Sequence, residues 1–184
     1  MQPQVQTSSD SPIQVDFLPL AELGIPGRIG LTLAPGQLFL DSTTVYDRDL
    51  VSDLNRLRQV YGIDQLVCLL EPEELKDLGI PHLLAEAEAI GMTTAWLPIS
   101  DEGVPASMPE FAALVARVVQ TASNGKSAVI HCRGGRGRTG MLAACCLVQL
   151  GHDPELAIQT VQQIRTGALQ AENKRHYIHQ FASI

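Results

Sequence analysis

The 184-residue chain contains no segment that is long and apolar enough to span a membrane. Its first eleven residues, MQPQVQTSSDS, contain no apolar run of the kind that directs secretion. We therefore expect residues 1–11 to form a disordered tail, and the protein to work in the cytoplasm without stable membrane insertion. Basic residues are not in excess either, because 13 lysines and arginines face 20 acidic residues and leave a net charge of −7. That balance disfavours a general affinity for nucleic acid or anionic membranes.

Cysteine is scarce, and the four cysteines lack the paired spacing of a zinc site or of a small disulfide scaffold. Cys145 and Cys146 stand in an almost wholly apolar stretch, so we expect them in the core. Cys68 is also expected in the core, although a redox pair with Cys132 is an open alternative. Unpaired thiols suit a reducing compartment, which again favours the cytoplasm.

Apolar residues make up 45% of the chain, which is enough for a single domain over residues 12–184. Residues 12–50 contain short apolar pieces between Pro, Gly and Thr, which predicts loops and short strands at one edge. From residue 50 onward, helical patterns alternate with three strand patterns, QLVCLL, MTTAWLPI and SAVIHC. This alternation predicts an α/β fold with a central, mostly parallel sheet of about four to five strands, flanked by helices on both faces.

The segment CRGGRGR joins the strand SAVIHC to the helix that begins near RTGM, at the carboxyl edge where open α/β folds bind ligands. Three loop glycines without a Cβ allow the backbone N–H groups to turn toward one point beyond the helix N-terminus. Arg138 stands at the start of this helix, where its planar guanidinium can hold two oxygens of a tetrahedral anion. The loop therefore predicts a phosphate site, although the chain contains no Walker-type phosphate loop.

Cys132 stands inside this cationic loop. The backbone N–H groups, the helix terminus and Arg138 favour a thiolate, so we expect the pKa of Cys132 below the usual ~8.5 and the sulfur to be a nucleophile. The alternative is a Gly-rich turn around an inert cysteine. Three arginines crowded at a helix N-terminus disfavour that alternative unless they bind an anion.

Three stretches of the chain resemble a known enzyme family. HCRGGRGRT resembles the signature loop of the cysteine-dependent protein tyrosine and dual-specificity phosphatases. ELKDLGIPHLLAEAEAIGMTTAWLPISDEGVP and RTGALQAENKRHYIHQF are similar to the corresponding parts of the kinase-associated phosphatase (cyclin-dependent kinase inhibitor 3) group, so the resemblance covers about residues 13–183. It implies one domain with a protein tyrosine phosphatase-like fold, working as a monomer and needing no metal or other cofactor.

The resemblance also implies a mechanism. Cys132 would attack phosphorus and form a cysteinyl-phosphate, Arg138 and the loop N–H groups would bind the phosphoryl oxygens, and water would release phosphate. The family's general acid is an aspartate on a separate loop, which Asp101 in PISDEGVP matches. Asp101 also follows the strand MTTAWLPI, at the same sheet edge as Cys132. The alternatives are that Asp101 is a solvated turn residue and that Glu102 is the acid.

Three further residues are expected to support this reaction. Thr139 is placed to donate a hydrogen bond to the Cys132 sulfur, and it would also suit a helix start. His131 is expected to fix the shape of the loop through a backbone hydrogen bond. Gln170 lies where the family has a polar residue that can orient water, with an exposed linker residue as the alternative. An acid that is protonated while the thiol is ionised predicts a bell-shaped pH profile with its maximum somewhat below neutrality.

The substrate is predicted to be a phosphorylated protein, a kinase among the candidates, with phosphotyrosine and phosphoserine or phosphothreonine both accepted. Arg133 and Arg136 add charge beyond what the thiolate needs and resemble basic residues in the loop of the phosphoinositide phosphatase tumour suppressor. A phosphoinositide, an inositol polyphosphate or a doubly phosphorylated peptide is therefore an alternative substrate. The residues predicted to bind the substrate are Arg133, Gly134, Gly135, Arg136 and Gly137.

Two other classes of function remain open. A non-catalytic module that binds phosphoproteins would use the same loop, but such modules usually lose the nucleophile or the acid, and this chain retains candidates for both. A rhodanese-like sulfur carrier also uses a loop cysteine beneath a helix. The Gly-Arg-Thr-Gly end of the loop and the distant aspartate favour phosphate chemistry.

Overall fold

The computed structural model describes residues 4–40 and 44–184, which form two sheets and a set of surrounding helices. The strands are β1 (Gln4–Thr7), β2 (Asp16–Phe17), β3 (Arg28–Thr32), β4 (Leu38–Leu40), β5 (Thr44–Asp47), β6 (Gln65–Cys68), β7 (Thr93–Trp96) and β8 (Ser127–His131). The helices are α1 (Leu20–Leu23), α2 (Leu50–Asn55), α3 (Pro72–Asp77), α4 (Leu83–Ala89), α5 (Met108–Ser123), α6 (Gly137–Gln149), α7 (Pro154–Ile164) and α8 (Glu172–Phe181). A π-helical turn over Arg56–Val60 continues α2.

The main sheet has five strands in the order β2-β3-β8-β6-β7. Strands β3, β8, β6 and β7 are parallel, and only β2 pairs antiparallel. Every residue of β6 and β8 is buried, and because successive side chains point to opposite faces, both faces of the sheet are covered. The predicted α/β fold with a mostly parallel sheet is confirmed.

Helix starts follow the capping residues in the sequence. Ser107 accepts a hydrogen bond from the backbone N–H of Glu110 at 3.3 Å, and Asp153 caps α7 in the same way. Helix α6 is buried on nearly all sides, and Cys145 and Cys146 lie in the core as predicted. Within residues 4–40 and 44–184, no helix is both long and apolar enough to cross a lipid bilayer.

A small second sheet has the order β1-β5-β4, with β1 parallel and β4 antiparallel to β5. The predicted disorder of residues 1–11 is wrong for residues 4–11, because β1 pairs with β5 in register from Gln4 opposite Thr44 to Thr7 opposite Asp47. Residues 1–3 lie outside the described part of the chain. Side chains in β1 are mostly polar and gave no apolar pattern, but the hydrogen bonds of a β-ladder join backbone groups and do not require one.

Candidate active site

The cysteine loop leaves the central strand at the carboxyl edge of the main sheet. Cys132 follows β8 directly and is only 4% exposed. Gly135 has a φ of +67°, and a Cβ there would lie 2.0 Å from the carbonyl oxygen of Thr32. A left-handed backbone this close to the neighbouring strand β3 admits only glycine, so the loop sequence dictates the tight curl that was predicted.

Arg165, at the end of α7, binds the outer side of this loop. Its Nε donates to the carbonyl oxygen of Gly135 at 2.6 Å and its Nη2 donates to that of Gly134 at 2.9 Å. Its Nη1 forms an ion pair with Asp16 at 2.6 Å. The C=O and N–H of a trans peptide point in opposite directions, so fixing these two carbonyl groups directs the following N–H groups away from Arg165.

Arg138 is buried in the first turn of α6, with 1% of its surface exposed. Glu74 of α3 accepts hydrogen bonds from Nη1 at 2.6 Å and from Nη2 at 2.9 Å, and the carbonyl oxygen of Ile99 accepts another from Nη1 at 2.7 Å. Nε has no hydrogen-bond partner among the described residues. The Nη1–Nη2 edge is therefore bound to protein, whereas the Nε side still has a free donor for an anion.

The electrostatics of this pair keep both groups charged. Burial would raise the pKa of Glu74, but hydrogen bonds from Arg138 and from the backbone N–H of Glu71 outweigh it and leave the pKa lowered. Burial would likewise lower the pKa of Arg138, but Glu74, a charge on the Cys132 sulfur and Asp101 raise it. Nη1 of Arg138 also lies 3.5 Å from the carbonyl oxygen of Leu69, whose N–H donates to the carbonyl oxygen of His131, so the guanidinium lies beside the strand end that carries Cys132.

Asp101 lies at the cysteine loop, as its position after β7 predicted. Its Oδ1 is 2.9 Å from Nη2 of Arg138, and its Oδ2 is 3.5 Å from a guanidinium nitrogen of Arg133. Its side chain is 47% exposed. The neighbouring candidate, Glu102, is exposed, and it contacts Asn173 through its backbone oxygen and not through its carboxylate.

Helix α8 holds the segment that carries Asp101. Lys174, which is 3% exposed, donates from Nζ to the carbonyl oxygen of Asp101 at 2.9 Å. Asn173 donates from Nδ2 to the carbonyl oxygen of Glu102 at 2.8 Å. The Lys174 side chain also packs on the cysteine loop, since a Cβ on Gly137 would lie 3.2 Å from its Cε. One helix therefore contacts both the aspartate segment and the cysteine loop.

The predicted supporting residues have different placements. His131 is fully buried, and its Nδ1 donates to the carbonyl oxygen of Cys132 at 3.2 Å, while burial lowers its pKa to about 4 and leaves it neutral. The Thr139 hydroxyl is buried and has no hydrogen-bond partner within the described ranges, so it does not bond the Cys132 sulfur in this structure. Gln170 is exposed, and its backbone oxygen accepts from Arg175. No hydrogen bond joins its side chain to the described loop residues.

Cys68 is fully buried in β6, opposite His131 of β8. Burial, and to a smaller extent a charge on Cys132, raise the pKa of its thiol to about 12. The four cysteines are free thiols. This placement agrees with the prediction that Cys68 belongs to the core.

Three residues of this site were missed by the sequence analysis: Glu74, Arg165 and Lys174. Glu74 left a signal, because EPEEL follows the strand QLVCLL at the carboxyl edge, and a buried arginine needs an acidic partner. Arg165 and Lys174 lie on helices well after the loop in sequence. No local pattern distinguishes them from ordinary surface basic residues.

Comparisons with known proteins identify the family of this chain. The family model described as "Cyclin-dependent kinase inhibitor 3 (CDKN3)" matches residues 3–159. Cyclin-dependent kinase inhibitor 3 of Mus musculus is 31% identical over 174 residues, which cover 93% of this chain and 79% of that protein. The structure of kinase associated phosphatase with its catalytic-site cysteine replaced by serine has a TM-score of 0.85 and 28% identity, covering 94% of this chain and 96% of that one.

A second solved structure, Tk-PTP in its active form, shares the fold. Its TM-score is 0.70 at 23% identity, and the match covers 92% of this chain and 96% of that one. The family match spans most of the described chain and includes the strand, loop and helix that carry Cys132 and Arg138. The chain therefore belongs to the cyclin-dependent kinase inhibitor 3 family of cysteine-dependent protein phosphatases.

Proposed function

We propose that this dual-specificity protein phosphatase uses Cys132 as nucleophile, Arg138 as the phosphoryl-binding guanidinium and Asp101 as general acid. The observation that carries this assignment is the meeting of the three groups at the carboxyl edge of the sheet. The Asp101 carboxylate is 2.9 Å from Arg138, and Cys132 and Arg138 stand at the two ends of the same short loop. A non-catalytic binding module would not need the acid at this position.

In the first step, the Cys132 thiolate attacks phosphorus, the sulfur–phosphorus bond forms and the ester oxygen leaves with a proton from Asp101. In the second step, water attacks phosphorus, Asp101 takes back a proton and the thiolate leaves. Phosphoryl oxygens would bind the free Nε of Arg138 and replace Asp101 as an acceptor of the Nη2 hydrogen bond. Substrate binding would therefore release the aspartate for proton transfer. The inward loop N–H groups supply the remaining hydrogen bonds.

A phosphorylated protein, with kinases among the candidates, is the proposed substrate and partner. Two relatives support this, since one is named a cyclin-dependent kinase inhibitor and another a kinase associated phosphatase. All the proposed catalytic groups come from one chain, so a monomer would suffice. Four free thiols, one of them the proposed nucleophile, suit the reducing cytoplasm.

The test is to trap the intermediate on a phosphotyrosine and a phosphothreonine peptide. We expect an acid quench during turnover to yield one phosphoryl group on the Cys132 peptide, as measured by mass spectrometry. Cys132→Ser should abolish both the adduct and turnover while it retains peptide binding, and Cys68→Ser serves as the matched control that keeps the adduct. Turnover above a few per cent in Cys132→Ser would remove Cys132 from the role of nucleophile.

A further inference from the structure

A cavity of about 150 Å³ lies beside the cysteine loop, on the side of the small sheet. It is separate from the groups assigned to catalysis, because neither Cys132 nor Asp101 lines it. The residues that line the cavity are Gln37, Phe39, Tyr46, Arg133, Gly134 and Arg136. Half of its wall therefore comes from the loop itself and half from the small sheet and the residue before β4.

The charge on this wall is entirely positive. Two guanidiniums line the cavity, and no carboxylate does. Nη2 of Arg133 lies 3.2 Å from Glu74 and 3.5 Å from Asp101, but a guanidinium has five N–H donors and those on Nε and Nη1 remain. Within residues 4–40 and 44–184, the Arg136 side chain has no hydrogen-bond or ion-pair partner. The cavity is therefore suited to an anion.

Gln37 is an independent sign of a ligand in this cavity. Its side chain is 2% exposed, and its Oε1 has no hydrogen-bond partner in the described part of the chain. Burial of a polar atom without a partner is unfavourable, so such atoms are usually satisfied by a ligand or by water. Rotation of the terminal amide by half a turn exchanges its oxygen and nitrogen, so Gln37 can donate an N–H to an anion between the two arginines.

We propose that this cavity binds a second phosphorylated side chain of the protein substrate, close in sequence to the residue that reaches Cys132. The inference rests on the proposed function, because the cavity is placed relative to the proposed nucleophile. Gly134, which borders the cavity, is the second residue after Cys132. Phe39 and Tyr46 form the aromatic walls, and Arg133 stacks over the Phe39 ring at 5.1 Å. An acidic chain with a net charge of −7 favours a peptide over an anionic lipid surface as the source of this phosphate.

The test compares kcat/KM for matched peptides that carry one phosphorylated residue or two, with the second placed one to three positions to either side. We expect the wild-type protein to prefer one doubly phosphorylated spacing by about tenfold, as for a charge-assisted hydrogen bond to a phosphate. Gln37→Glu puts a negative charge in the cavity at the same side-chain size and should remove the preference. Gln37→Leu should reduce it, and both variants should leave the singly phosphorylated peptide within about twofold.

Thermal unfolding of both variants checks that the fold is retained. Equal kcat/KM for one and two phosphates at every spacing would overturn the proposal, and so would an equal loss on both peptides in Gln37→Glu. The proposal would also be overturned, in favour of a lipid headgroup, if Gln37→Glu lowered kcat/KM only for a soluble phosphoinositide with several phosphates. If no phosphopeptide is hydrolysed at all, the proposed function fails and not merely the second site.

Discussion

Glu74 and Ile99 accept hydrogen bonds from one edge of the Arg138 guanidinium, and Asp101 binds Nη2 at its corner. A buried guanidinium without such partners would be strongly destabilising, so this one residue serves both the stability of the fold and the binding of phosphate. Lysine could not replace it, because a single ammonium cannot bind Glu74 along a planar edge and still present a second donor to the substrate.

Asp101→Asn tests the role of the acid. We expect kcat to fall by about 10² to 10⁴ for phosphoserine peptides, whose leaving alkoxide needs a proton, and far less for para-nitrophenyl phosphate. Inhibition by inorganic phosphate should become stronger, because the variant removes a negative charge that competes for Arg138. Glu102→Gln is the matched control and should change neither quantity. Equal losses of kcat on the two substrates would show that Asp101 is structural.

At the scale of the elements, α8 connects the aspartate segment to the cysteine loop. The buried ammonium of Lys174 binds the Asp101 backbone oxygen, and its stem packs on Gly137. Because the contact is to the backbone, it fixes where the segment runs and leaves the carboxylate able to exchange partners. Lys174 is therefore a positioning residue and not a catalytic one.

Lys174→Met removes the ammonium and keeps a stem of similar length. We expect kcat for a phosphoserine peptide to fall by about tenfold, with a smaller effect on para-nitrophenyl phosphate, because the segment would hold Asp101 less well. In the double variant with Asp101→Asn, the loss should be no larger than for Asp101→Asn alone, since both changes act on one step. Glu172→Gln, in the same helix turn, is the control. Additive losses would contradict the positioning role.

At the scale of the whole molecule, stability should depend on pH through His131. Burial lowers its pKa from the ordinary 6.5 to about 4, so the unfolded chain binds a proton in this range that the folded protein does not. The folded state therefore loses stability as pH falls from about 6.5 toward 4, by about 2 kcal/mol between pH 7 and pH 5.

Urea unfolding at pH 7 and pH 5 measures this difference. His131→Asn should flatten it, whatever its effect at pH 7, whereas His176→Asn at an exposed position should leave it unchanged. A wild-type protein equally stable at the two pH values would contradict the neutral, buried state of His131. The same experiment reports on the catalytic loop, because His131 bonds the Cys132 carbonyl oxygen.

Sequence patterns predicted the parts of the fold that repeat a local rule. Apolar runs marked β6 and β8, because the signal of a buried strand lies within a few residues. Glu74 and Arg138 are 64 residues apart, and their pairing depends on how the sheet brings two strand ends together. Strand β1 of the small sheet was missed because its backbone pairs with β5 without an apolar pattern in its side chains.

Arg165 binds the loop carbonyl groups and is itself held by Asp16, which lies 149 residues earlier in the chain. The conformation of the signature HCRGGRGRT therefore depends on residues outside it. Grafting the loop onto another scaffold would transfer the nucleophile without Arg165, which orients the backbone N–H groups of the loop. Removing β2, the edge strand that carries Asp16, would weaken the hold on Arg165 although the loop sequence stayed unchanged. Engineering of this reaction centre has to carry over three distant pieces of chain together.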